Sequence, residues 1–478
     1  MTCDQKLPIR SPRLIAGLTI TSPHRSRISV TVRAACAIVV VTAVGAVTTS
    51  TIAGATKTPS PTPSSSTAVS ARSTELPNDP AARLKALEQR TTANPTDGKA
   101  WKDLATAYTR RAYETADPSY YPLATGALDR AAKLVNNSPD VRSARANLLL
   151  ALHNFSGARA EAAAVLKVQP NNFDAVLSLT DATIELGDYT TAAELVDRLV
   201  NQRPGVASFS RLSYLRQLNG DILGAEMAMR SAVSSAPPDS IDRAVALAYL
   251  GEVLLERGRG DAAMRSFSEA LRLHPTSSIA AMGKARLAAG KRDWKMATTT
   301  LETLVDRVPV PGALGLLAEL ARANGDHASE TATNQLVDAS IDLFRANGAI
   351  VDAEIATLLA DRGPGSSTQA VAAAKKAYGA RRTIFTEDAL AWALMQSARP
   401  KEALPHIASA LATNPAVASV HWHAATIYNA LGDTTKARSE LALTLRNPWF
   451  SPAQRSAVEA LAAKLGVPLQ RTGLGANT

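Results

Sequence analysis

The stretch YLGEVLLERGRGDAAMRSFSEALRLHP, residues 249–275, decides the fold. Its apolar residues recur at helical spacing on both sides of the Gly258-Arg259-Gly260 interruption, and the pattern stops at Pro275. Two helices joined by a tight turn satisfy that pattern. Gly251 is out of place in the first of them, because glycine inside a helix costs about 1 kcal/mol relative to alanine. A close approach of another element must use the missing side chain.

The same spacing recurs along the chain. From residue 173, FDAVLSLTDATIELGDYTTAAELVDRLVNQRPG carries Gly-Asp-Tyr at 187–189, with Ala192 following Asp188 at four residues and Pro204 following Ala192 at twelve. The alanine-to-proline interval of twelve holds for Ala263 and Pro275, Ala127 and Pro139, Ala158 and Pro170, Ala225 and Pro237, Ala297 and Pro309, and Ala403 and Pro415. Such self-similarity marks a repeat architecture.

The unit resembles the tetratricopeptide repeat, a helix-turn-helix of about 34 residues. In that pattern small residues let helices A and B approach, which places Gly251, Ala263 and Ala270 at the small positions and Leu250, Phe267 and Pro275 at the remaining signature sites. The resemblance implies an all-α, right-handed α-solenoid of about ten units, near 98–138, 139–172, 173–205, 206–239, 244–275, 276–310, 311–344, 351–383, 384–417 and 418–450. Helices at 80–92 and 452–465 would cap it, so the solenoid occupies 80–465, followed by a tail at 466–478. Two irregularities stand out. The first unit carries an insertion, ETADPSYYPL, expected to lengthen its turn, and the pattern is weakest across 340–370. The closing units, TEDALAWALMQSARPKEALPHIASAL at 386–411 and HWHAATIYNALGDTTKARSELALTLRNPWFSP at 421–452, resemble those of exported bacterial multi-repeat proteins, a resemblance that implies no reaction.

The N-terminus is of another kind. Seven of the 52 basic residues fall within the first 57 positions against one acid, Asp4, which leaves 45 basic against 41 acidic residues beyond. A basic segment, 1–33, precedes the uncharged AACAIVVVTAVGAVTTSTIAGA at 34–55, a separate hydrophobic leader helix that reads as a signal peptide or a signal anchor. Cleavage near Ala55 would release the body, and without it the membrane would hold the protein through 34–55 with a cytoplasmic N-terminus. Either way residues beyond 55 are expected to be extracytoplasmic. Residues 56–79 are rich in Pro, Ser and Thr and read as a disordered linker. Cys3 and Cys36 both precede the body, which therefore has no disulfide and no thiol nucleophile.

Solenoids bind partners on the concave wall lined by helix A of each unit. On that wall the first unit offers Lys99, Lys102 and Arg110. Asp181 and Glu185 recur as Glu252 and Glu256 at equivalent positions, with Glu319 two units on, and read either as an acidic track for a basic ligand or as a solvated face. Trp392, Met395 and Trp422 read as an aromatic anchor for a partner or as side chains packed on one another or on the C-terminal cap. Trp101 faces helix B and reads as core.

Enzymatic signatures are missing from the sequence. The i,i+4 carboxylate pairs lie in an open groove that would not enclose a sugar. His421 and His423, two apart on a helix, point in different directions and share no metal. GKARLAAGK at 283–291 lacks the spacing of a phosphate loop, and Arg259-Gly260-Asp261 belongs to the repeat's turn. Few aromatics and no basic block argue against nucleic acid. The expectation is a non-enzymatic scaffold that takes a protein or peptide, without cofactor or metal. The alternative is an accessory module for an envelope polymer such as a glycan.

Overall fold

The computed structural model describes residues 76–77, 79–447 and 452–469. The leader and nearly all of the linker lie outside the described residues, as do positions 470–478 of the tail. In chain order the helices are α1 (Pro80–Ala93), α2 (Gly98–Thr115), α3 (Tyr120–Leu134), α4 (Pro139–Ala151), α5 (Phe155–Val168), α6 (Phe173–Glu185), α7 (Tyr189–Gln202), α8 (Val206–Leu218), α9 (Ile222–Ser235), α10 (Ile241–Glu256) and α11 (Gly260–Leu273). They continue as α12 (Ser278–Gly290), α13 (Trp294–Val305), α14 (Pro311–Ala323), α15 (His327–Ala346), α16 (Asp352–Asp361), α17 (Ser367–Ala380), α18 (Ile384–Gln396), α19 (Pro400–Ala410), α20 (Ala418–Ala430), α21 (Thr434–Thr444) and α22 (Pro452–Leu465). In each of the ten pairs from α2/α3 to α20/α21 helix A packs against helix B, and successive units pack on one another, the seventh meeting the eighth through side chains such as Arg322, which donates to the Asp361 carbonyl at 2.9 Å. The described residues therefore form an all-α solenoid, and among them no helix is long and apolar enough to cross a membrane.

The turn between helices A and B explains why the unit recurs. Just beyond α6 stands Gly187, whose φ of +82° reverses the chain in the left-handed region that glycine enters without a Cβ penalty. Asp188 then caps α7 by accepting the Thr191 N–H through its side chain. Asn154, Asp221, Asp293, Asp326 and Asp433 cap their B helices in the same way. In the fifth unit Gly258 makes the reversal, but Arg259 occupies the cap position and supplies no side-chain bond.

Gly251 is explained by one ring. Phe267 on α11 is fully buried, and a Cβ on Gly251 would sit 2.3 Å from its Cε1. Gly283 on α12 presses from the other side, where a Cβ would lie 2.2 Å from Cζ of the same ring. The phenyl is thus clamped between the backbones of two successive A helices. The repeated small positions behave alike: Ala127, Ala158, Ala192, Ala225, Ala263, Ala297 and Ala403 are all at most 3% exposed, so any larger group would force the helices apart.

Three details refine the sequence reading. The insertion in the first unit adds to α2, which runs 18 residues, and leaves a short turn at 116–119. The weak region at 340–370 is an extended α15 of 20 residues followed by a short α16 of 10 and a 3-10 turn at Pro364–Ser366. Pro275 ends α11 but does not begin the next helix, which starts after the Ser277 cap; Pro139 and Pro311 do open theirs.

The larger departure is that the superhelix closes on itself. Turns between helices A and B in units two to five meet the loops that lead into units eight to ten and out of unit ten. Ile350 N–H donates to the Leu152 carbonyl at 2.9 Å, and Ala416 N–H to the Gln217 carbonyl at 2.9 Å. Ile384 N–H donates to the Tyr189 hydroxyl at 3.2 Å, and the Thr413 hydroxyl to the Leu218 carbonyl at 2.6 Å. Backbones approach so closely that a Cβ on Gly187, Gly220 or Gly258 would lie 2.2, 2.6 or 2.4 Å from the carbonyl oxygen of Arg382, Asn414 or Arg446. Gly325 and Gly432, at equivalent turns with no further coil above them, meet nothing within 4 Å. Helix α22 caps α21 and also packs against α12 and α14, with Arg455 donating to the Gly290 carbonyl at 2.6 Å.

Candidate interaction site on the inner wall

Closure of the coil changes the character of the inner wall. Asp181 is buried and holds Arg211, itself 2% exposed, through Nε–Oδ1 at 2.7 Å and Nη2–Oδ2 at 2.5 Å. Glu185 pairs with Arg381 across the seam between coils. Glu252 takes both bonds from Arg286 Nη2 on the next A helix, at 2.7 and 2.9 Å. Glu256 is half-buried and accepts the Ala418 N–H at 3.1 Å, with Asn447 as a further donor. Glu319, half-buried on α14, is engaged as well.

These carboxylates form neither an open acidic track nor a solvated face. Each of the four in the repeated pairs has a partner on a neighbouring unit or coil, and burial raises the pKa of Asp181 in spite of Arg211. Burial pushes Glu185 and Glu256 up to about 7. The sequence shows the i,i+4 spacing of the acids, but the cations that answer them come from 30 to 196 residues away.

The aromatic end is filled too. Trp392 and Trp422 are each 4% exposed, and Met395 is half-buried against the same core. The Trp392 indole stacks on His423 with centroids 4.1 Å apart and donates Nε1–H to Asp361 at 2.9 Å. Gln454 of α22 donates to the same carboxylate oxygen at 3.1 Å, which ties the cap helix to the wall. Burial raises the Asp361 pKa. Neither indole is available to a partner in this arrangement: the wall curls until the rings pack within it. His423 also faces Asp388 at 2.8 Å and His421 faces Glu440 at 2.6 Å, so both histidines serve packing. Among the described residues no group of three side chains is placed to hold a metal ion.

The first unit remains open. Lys99 and Lys102 flank Asp103 at 2.9 and 2.5 Å, and Arg110 bonds Glu114 at 2.7 Å. Tyr113, three residues beyond Arg110, is 50% exposed yet lies within electrostatic reach of Tyr121 and of Tyr249 on α10. It therefore faces the interior between units one and five. Nothing in the local sequence singles it out, because the lengthened α2 moves it beyond the standard groove positions. Trp101 is partly buried against the N-terminal core and donates to the Pro95 carbonyl at 3.0 Å.

Helix pairs of this kind, stacked unit on unit, define an α-solenoid. The family model described as "Tetratricopeptide repeat" matches residues 143–207 and 389–452, so these two stretches are tetratricopeptide repeats. No curated protein matches it. Similar solved structures include a thermophilic TPR protein of Thermus thermophilus, at 17% identity over 39% of this chain and 98% of that one, TM-score 0.34. Yeast Tom70 is similar at 12% identity over 81% and 92%, TM-score 0.34, and human IFIT1 as a dimer with PPP-AAAA at 16% over 77% and 86%, TM-score 0.44. Likeness at this level says nothing of ligand or partner.

Proposed function

We propose that this chain is a non-enzymatic interaction scaffold displayed outside the cytoplasm, taking a protein or peptide at the open, N-terminal part of its inner wall. Stacked repeats create extended concave surfaces suited to such binding. The observation that carries the reading is Tyr113, a large aromatic half-exposed toward the interior, where aromatics anchor interfaces, while the tryptophans of the closing units are packed away. Lys99, Lys102 and Arg110 give that mouth a polar rim. The export pattern at 1–55 supports placement beyond the membrane, anchored or released.

A photocrosslinking residue placed at Tyr113 of the full chain, compared with one at the exposed Leu223 of α9, tests the reading in cells. A discrete protein adduct is expected from position 113 and not from 223. No adduct from 113, or the same adducts from both, contradicts it.

A further inference from the structure

The seam between coils contains one cluster whose charges do not balance. Glu185 at the end of α6 and Glu354 on α16 share a single guanidinium, Arg381, which pairs with Glu185 and lies 3.7 Å from a Glu354 oxygen. The other oxygen of Glu354 is buried without a hydrogen-bond partner. His153, in the turn before α5, stands 3.7 Å from Glu354 and 3.2 Å from the Ile350 carbonyl. Arg381 lies over the Phe155 ring, 4.6 Å from its centroid, so the cluster has an apolar floor.

We infer that this cluster is a proton-operated latch that holds the coils of the solenoid together when protonated and loosens them when the proton leaves. With both carboxylates ionised the group carries one uncompensated negative charge in a largely buried seam, and one bound proton removes it. Among the described residues no neighbour supplies the missing positive charge. Burial lowers the His153 pKa, which favours the neutral imidazole. Asp181 is neutralised by Arg211, and Arg382 stacks over Tyr378 instead. Burial holds Tyr189 up at about 12 and Tyr214 well above its ordinary value, so both stay neutral phenols.

The sign follows from the direction of the Glu185 shift, from 4.5 to about 7. Raised in the closed coil, it favours closure fully below the exposed value of 4.5, and that contribution is lost as pH rises toward 7. The seam should therefore be tightest in acid and loosest above neutrality.

Ile350 and Ile384 report on it directly, since their amides bond to Leu152 and Tyr189 across the seam. Hydrogen exchange of the full chain at pH 5 and pH 8, corrected for the intrinsic exchange rate, reads their protection. We expect protection at both amides to fall by about tenfold or more, the value of one pKa unit. Within α13, remote from the cluster, it should stay constant. In Glu185→Gln, which mimics the protonated carboxyl, both amides should keep high protection at either pH. Should that variant fail to fold, Glu354→Gln removes the other carboxylate and should flatten the profile equally. Protection that is constant in the parent, rises with pH, or falls as steeply in the folded variant overturns the latch.

Discussion

Replacing Gly251 with alanine tests the packing logic of the repeat at its tightest point. The added Cβ would stand 2.3, 2.6 and 2.7 Å from three atoms of the Phe267 ring, where carbon contacts are most favourable at about 3.5–4.0 Å. The ring has no retreat, because the backbone at Gly283 closes its other side. Overpacking of this kind costs about 1–3 kcal/mol, against a gain of about 1 kcal/mol from the better helix propensity of alanine. The net is a loss of about 1 kcal/mol. In a Phe267→Leu background the clash is relieved while the propensity gain remains, so the same substitution should stabilise by about 1 kcal/mol. The coupling of about 2 kcal/mol lies in the range for residues in contact. Native-state hydrogen exchange across α10–α12 measures it, since solenoid stability is local. Equal stabilisation by Gly251→Ala in both backgrounds would refute the clamp.

Other outcomes follow from the same structure. Trp392→Ala and Trp422→Ala should each lose about 3–5 kcal/mol as buried aromatics do, seen as a clear drop in thermal melting; unchanged melting would mean exposed rings. Arg211→Met strands the buried Asp181 carboxylate and should cost about 3–5 kcal/mol near neutral pH. Because burial raises the Asp181 pKa, the loss should shrink in acid, and Asp181→Leu added to Arg211→Met should recover most of it in urea titrations. For the leader, a reporter fused after residue 80 should lie outside the cytoplasm, and N-terminal sequencing should return Thr56 if Ala55 ends the cleaved segment.

The repeat itself was legible because each unit is a local object: a helical period, a left-handed reversal at Gly187 or Gly258, and a small residue twelve before a proline. Gly251 signalled a close contact, although only the structure shows that Gly283 forms the second wall around Phe267. The inner wall was legible in composition and not in consequence. Asp181 and Glu185 read as a face, yet Arg211 comes from the next unit and Arg381 from the next coil. That coil arises from a small rotation per unit summed over about six units, which no local pattern carries. Gly220 and Gly325 are alike in sequence context, and only one of them has another coil against it. The same closure decides between the two readings of Trp392 and Trp422.

That pair of glycines offers the most direct test of coil-on-coil closure. Both occupy A-to-B turns with nearly equal φ, +78° and +75°, so alanine costs similar local strain at each, about 1 kcal/mol. Only at Gly220 would the new Cβ lie 2.6 Å from a carbonyl of the next coil, that of Asn414. Gly220→Ala should therefore strip hydrogen-exchange protection from the Ala416 amide, which bonds to Gln217, while Gly325→Ala leaves it intact. Unchanged protection at Ala416 in Gly220→Ala would contradict a solenoid whose coils touch.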